Sequence, residues 1–392
     1  MSRTMLEQGH ARVPALGLSS AGAETGTRLL SLDVFRGITI AGMLLVNNPG
    51  TWDAIYPPLE HSVWNGWTPT DLIFPFFMFI VGVSMTFSFG KLLARGESRG
   101  RIFRKAAKRA GIIFVLALVL ESYPWVGYDY SHLRIPGVLQ RIALSFLIAS
   151  VFVLWAGWRA RLLAVAALLL GYWALESWVP VPGVGAGVLE KGQDLGAYVD
   201  RVIFGTDHLW ASSRTWDPEG LLGTLPAVAT VLLGVFAGDW LRSGRSGGVL
   251  TRGLLLAGAV GVVVGLLWGR LFPINKALWT SSFVVFTAGM AALALAICYW
   301  LVDYRGYRRW TGPFLVFGTN AIATYFLSGL MANAIDMPRL PGGRSVKGWI
   351  FENVFTPRLS LLNASLAFAI CFVLFWMGVM WLFYRKRIFI KV

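Results

Sequence analysis

The 392-residue chain has little charge, little cysteine and little histidine. Only 14% of its residues are Asp, Glu, Lys or Arg, where a soluble domain carries about 25%, so a surface bathed in water on all sides is excluded. The two cysteines, Cys298 and Cys371, both lie inside apolar runs. That excludes a disulfide framework and reads as two small hydrophobes. With four histidines in all and no metal-ligand spacing, no metal is expected. Walker A loops, Rossmann fingerprints and Gly-x-Ser-x-Gly elbows are missing, as is any selectivity-filter pattern.

What the chain does have is apolar length. Hydrophobic residues make up 56% of it, grouped in blocks of roughly the 20 residues that cross the hydrocarbon of a bilayer. The blocks are too long and uniform for barrel strands. The expected fold is an all-α, polytopic membrane helix bundle of about ten transmembrane helices. Their limits are 30–49, 71–90, 107–122, 137–156, 160–179, 220–241, 250–272, 279–302, 312–333 and 362–384. Residues 1–27, rich in Ala, Gly, Ser and Arg, have no apolar signal-peptide core and read as a disordered cytosolic tail. Residues 28–392 then form one transmembrane domain. The net charge of +15 does not signal nucleic acid, because its placement has a membrane explanation. Segments between spans carry 23 Lys and Arg on one side and 10 on the other. Basic loops stay cytoplasmic, so both termini are expected inside, and the loop carrying His61 outside.

Two outer loops are long, 180–219 and 334–361. In the second, the partly apolar Val346–Phe355 is too short to span and is expected to lie in the interface or re-enter. A weak echo relates Asp71–Val83 to Gly220–Val235, as a parallel repeat would.

His61 is the leading candidate for chemistry. It sits in a polar, aromatic loop with Trp64 and Trp67, between two spans. The ordinary reading is a solvated loop histidine; the functional one is a base or acyl acceptor working near neutral pH. Asn47, closing the first span, is expected to be buried and partnered, or to donate to an oxyanion. Asp71 opens the second span. It would favour the helix start or orient the imidazole. Trp64 and Trp67 mark the interface or stack on a sugar. Asp33 and Arg36, at i and i+3, pair as a salt bridge or leave Arg36 free for a phosphate. Arg134 snorkels or binds an anion, whereas Arg141, within a span, needs a partner or a cavity. Asp217 and Glu219 are helix-start acids or hydroxyl ligands. Lys276 opens the eighth span; Asn320 lies within the ninth, as glue or as a ligand.

Six blocks in order resemble the heparan-α-glucosaminide N-acetyltransferase family: Arg28–Gly37, His61–Pro75, Arg134–Arg141, Trp216–Gly220, Ile274–Trp279 and Tyr384–Lys391. The resemblance implies a transmembrane acyltransferase that moves acetyl from cytosolic acetyl-CoA to an amino sugar or glycan acceptor on the extracytoplasmic side. It implies His61, Asn47 and Asp71 as catalytic residues. Arg36, Arg134, Gln140, Arg141, Lys276 and Asn320 are the expected cofactor ligands, and Trp64, Trp67, Asp217 and Glu219 the expected acceptor ligands. The bare N-terminus resembles a bacterial homologue in the inner membrane, acting on an envelope sugar, with a homodimer as a candidate assembly. Whether His61 carries the acetyl or only a proton stays open. A transporter or channel for an envelope solute is the alternative class.

Overall fold

The computed structural model describes residues 29–390; the expected tail over 1–27 lies outside them. The described chain is mostly helical. In order come α1 (Leu30–Asn47), α2 (Ile73–Ala94), α3 (Arg99–Glu121), α4 (Val138–Trp155), α5 (Trp158–Trp178) and α6 (Leu195–Phe204). They are followed by α7 (Thr224–Leu241), α8 (Gly247–Trp268), α9 (Ser281–Tyr299), α10 (Gly312–Thr319), α11 (Ala321–Asp336), α12 (Val346–Ile350) and α13 (Leu361–Arg385). A small hairpin pairs β1 (Pro338–Leu340) with β2 (Arg344–Ser345).

Every expected span coincides with a helix or a helix pair. Among the described residues eight helices are long and apolar enough to cross a membrane, and the bent pair α10–α11 would make nine. The tenth expected span is the second half of α3, whose first half is basic from Arg99 to Arg109. The 312–333 span is not straight: α10 and α11 meet at 84° around Asn320. A break inside an apolar segment frees backbone groups that must be satisfied elsewhere. Here the Asn320 amide donates to the Ile388 carbonyl at 3.0 Å and accepts the Ile390 N–H at 2.9 Å, clasping the segment after α13.

Two helix contacts depend on paired glycines that let backbones touch. A Cβ on Gly37 of α1 would stand 1.8 Å from the Phe314 carbonyl oxygen, and one on Gly318 of α10 2.0 Å from that of Asp33. Across α2 and α7 the same holds for Gly82 against Val231 and Gly234 against Phe79. Gly82 and Gly234 are matching positions of the weak sequence echo, and they face each other.

One end of the bundle gathers the start of α1, the turn after α9, the α10–α11 break and the segment after α13. The Ser31 N–H donates to Asp303 at 3.0 Å. Arg36 forms the expected pair with Asp33 at 3.0 Å and also binds the Gly318 carbonyl and the Ser84 hydroxyl. Over its 18 residues α1 runs about 27 Å, at 1.5 Å per residue, ending at Asn47 at the other end. The 180–219 loop folds onto that other end around α6, whose first N–H groups are taken by Glu176 and Asp194. The Val346–Phe355 stretch is a short helix continued by a π turn, anchored by buried Phe351 against Ala364 and Phe368 of α13.

Candidate active site

The loop from Glu60 to Asp71 is wound around one carboxylate. Thr68 caps a short turn over Pro69–Leu72 in which Asp71 is the third residue. Asp71 Oδ2 accepts the backbone N–H groups of Ser62 and Thr68, both at 3.0 Å, while Oδ1 lies 2.6 Å from His61 Nδ1. The two roles weighed for Asp71, helix start and imidazole partner, are thus both filled by the same side chain. An ionised carboxylate only accepts, so Nδ1 is the nitrogen that donates its proton to Asp71. The Asp71 side chain is 1% exposed and that of His61 46%, so the fixed partner is buried and the imidazole is partly open.

A second loop supplies a cation. The Gly66 N–H donates to the Ile274 carbonyl at 2.7 Å, and Asn275 Nδ2 to Asn65 Oδ1 at 3.1 Å. These ties set Lys276 Nζ 3.0 and 3.2 Å from the two ring nitrogens of His61 and 3.6 Å from Asp71 Oδ1. Burial pushes the Lys276 ammonium below its ordinary pKa, opposed by the charges of Asp71 and Glu219. Lys276, expected among the cofactor ligands, stands beside the imidazole.

These groups open on a cavity of about 720 Å³ that His61, Asn47, Asp71, Trp64, Glu219 and Lys276 help to line. Asn47 was expected to be buried; it is exposed, at the wall of this cavity. Trp64 stacks edge-on against Trp216, and Trp216 against Trp210, at centroid distances of 5.2 and 5.4 Å. Together these three rings form an aromatic wall of the cavity. Trp67 is not part of it and packs on Phe286 at 4.8 Å.

Arg134 also reaches the cavity wall, but it is engaged. Its Nε and one terminal nitrogen donate to Asp217 at 2.8 and 2.7 Å, and that terminal nitrogen also meets Glu219 at 2.7 Å. The three acidic neighbours Asp217, Glu219 and Glu121 hold its pKa above the ordinary value despite burial. Asp217 has no exposed side-chain surface and does not line the cavity; of the two acids, only Glu219 does.

Residues 28–252 match the family model described as heparan-alpha-glucosaminide N-acetyltransferase, catalytic. The chain belongs to this family. It is 29% identical to heparan-alpha-glucosaminide N-acetyltransferase of Homo sapiens over 93% of its own length, and 28% identical to that of Mus musculus over 94%. The matches cover 60% and 61% of those two proteins.

The remaining expected ligands of this family member are scattered. At the Arg36 end a second cavity of about 310 Å³ is lined by Arg36, Arg109, Ser84, Ser88 and Thr319. Gln140 and Arg141 line neither large cavity. Arg141 is buried over Trp279, with its cation 5.1 Å from the ring, and donates to the Gly220 carbonyl at 2.9 Å. Asn320 is committed to the clasp described above. Sequence reasoning passed over Trp210 and Arg109 as site residues. The one signal for Trp210 was an aromatic in an otherwise polar outer loop; Arg109 counted only toward charge bias.

Proposed function

We propose that this chain is an integral membrane acetyltransferase. It takes acetyl from acetyl-CoA at the Arg36 end of the bundle and delivers it to an amino sugar or glycan at the His61 end. One observation carries this reading: the two cavities nearly meet. Phe74 of α2 lines the larger and Phe77 the smaller; Val138 and Ile142 of α4, and Tyr325 and Ile322 of α11, divide in the same way. Residues three or four apart on a helix are about one turn, or 5 Å, apart. A thin apolar layer therefore separates a basic pocket from a histidine pocket across most of the bundle. A slender acyl-carrying arm is the ligand that such a pair of pockets fits.

In this reading Arg36 and Arg109 hold the phosphates of CoA. His61 Nε2 takes the proton of the acceptor amine as the nitrogen attacks the thioester carbonyl, or attacks it directly. Asp71 fixes the ring, and the Asn47 amide donates to the oxyanion. The Trp64–Trp216 wall and Glu219 orient the acceptor. The relatives' name specifies a glucosaminide, so amino sugars are the first acceptors to test. The charge bias favours the Arg36 end as the cytoplasmic one.

The test is reconstitution in liposomes, with labelled acetyl-CoA on one side and a panel of amino sugars and envelope glycans on the other. Labelled N- or O-acetyl product is expected; no product with any acceptor overturns the reading. Exchange of label between acetyl-CoA and free CoA without acceptor supports an acetyl-histidine, and its absence a direct transfer. Opposed pockets across a thin layer also suit a transporter of an envelope solute. Solute flux in the same liposomes, undiminished in His61→Ala, would favour that alternative.

A further inference from the structure

We propose that Lys276 is the second acid–base group of the transfer, the proton donor to the departing thiolate, and that His61 recharges it. This inference rests on the acetyltransferase reading above. Three observations lead to it. Lys276 Nζ lies 3.0 and 3.2 Å from the two ring nitrogens of His61, against the imidazole, so a small swing of the lysine arm brings it onto the Nε2 lone pair, where a proton passes without a bridging water. The ammonium is not consumed by a tight ion pair, since its nearest carboxylate oxygen, on Asp71, is 3.6 Å away. Asp71 itself is already held by Ser62, Thr68 and His61. Finally, Lys276 lines the same cavity as His61, so the reacting atoms have access to both.

The chemistry needs two proton positions. Attack of an amine on a thioester forms the C–N bond and breaks the C–S bond, and the amine must lose one proton while the sulfur gains one. His61 Nε2 accepts the amine proton. Lys276 gives one of its three protons to the thiolate as the C–S bond opens, leaving a neutral amine. The imidazolium Nε2–H then passes its proton to Lys276, and both groups return to their starting states. The products are the acetylated amine and the free thiol, with no proton gained or lost by the protein. An acetyl-histidine route has the same requirement at sulfur, so the role of Lys276 does not depend on which route is followed. The charged groups around Lys276 suit it to the task. Burial, and to a lesser degree the Arg141 charge, lower its pKa and ease release of the proton, opposed by Asp71 and Glu219.

A purely electrostatic role would give a different result on substitution. Arg keeps the charge but does not give up a proton at accessible pH. The experiment compares wild type, Lys276→Met and Lys276→Arg with two acetyl donors, acetyl-CoA and 4-nitrothiophenyl acetate, whose leaving thiol needs no protonation. Thermal unfolding in detergent is recorded for each protein. With acetyl-CoA both variants are expected to lose about 100-fold or more in kcat, within the usual range for general acid catalysis. With the activated donor they should stay within about 5-fold of wild type, the missing acid no longer being needed. Restoration of acetyl-CoA turnover by Lys276→Arg overturns the inference in favour of charge alone. Equal losses with both donors overturn it in favour of a structural role. If Lys276→Met does not fold, Lys276→Arg carries the same comparison. Wild type inactive with every donor would instead remove the acetyltransferase reading, a distinct outcome.

Discussion

Arg134 and Asp217 face each other as two parallel forks, joined by a pair of hydrogen bonds of 2.8 and 2.7 Å across 83 residues of sequence. The Asp217 side chain is wholly covered, so this pair fastens the segment leading into α4 to the one leading into α7 and shapes the cavity wall from behind. Removing one partner of a buried pair leaves an uncompensated charge and costs about 3–5 kcal/mol. Arg134→Ala is therefore expected to lower the unfolding midpoint in detergent markedly. Asp217→Asn should do so less, and without a selective rise in acceptor KM. A selective acceptor effect for Asp217→Asn would return it to the acceptor site.

His61 and Asp71 should separate in their effects. His61→Ala is expected to lower acetyl transfer by about 100-fold or more while acetyl-CoA still raises the melting temperature. Asp71→Asn should reduce transfer as well, because the imidazole loses its orienting acceptor. It should also cost about 1 kcal/mol of stability, because Asp71 closes the Thr68 capping box. Parallel rates and melting curves on both variants check this.

Arg109 offers a cleaner probe of the donor pocket than Arg36, which also ties α1 to α2 and α10. Arg109→Ala is expected to weaken acetyl-CoA binding by about tenfold, the loss of roughly one charge-assisted contact to phosphate. Turnover at saturating donor should be little changed. Calorimetric titration with CoA measures the first quantity and steady-state rates the second.

Asp200 of α6 predicts a pH dependence. Burial pushes its carboxyl up from 3.8 to about 7, with nearby Asp217 and Asp194 adding to the effect and the Leu221 N–H opposing it. Between those two values the folded state holds a proton that the unfolded chain has lost, so stability falls as pH rises through that window. Asp200→Asn removes the ionisation. It is expected to melt higher than wild type at pH 8, with the difference closing as pH falls toward 4. A constant difference across that range would show that the carboxyl does not titrate there.

Sequence alone carried the pairing of His61 with Asp71, because ten residues and one helix start separate them and a short loop leaves few arrangements. It carried the apolar spans because their length is set by the bilayer. It did not carry Lys276 to His61, which are 215 residues apart and meet only through hydrogen bonds between two loops. Asp217 was read as a ligand because its sequence neighbours are polar, and the guanidinium that occupies it lies elsewhere in the chain. Asn320 looked like a ligand or glue within a straight span. Its amide does act as glue, to a backbone segment brought in from beyond α13, and the helix bends where it does so.

The contact between Gly37 and Gly318 has a bearing on how such a protein is made. α1 is synthesised early, yet the Gly318 carbonyl that receives Arg36 lies 282 residues further along the chain. Until α10 emerges, α1 must wait in the membrane with a bare glycine groove and a charged pair lacking its final acceptor. Such a helix is a natural client for an insertion chaperone. Truncations that stop before α10 should be recognised as unfinished and degraded, even though seven of the described helices they contain are long and apolar enough to insert.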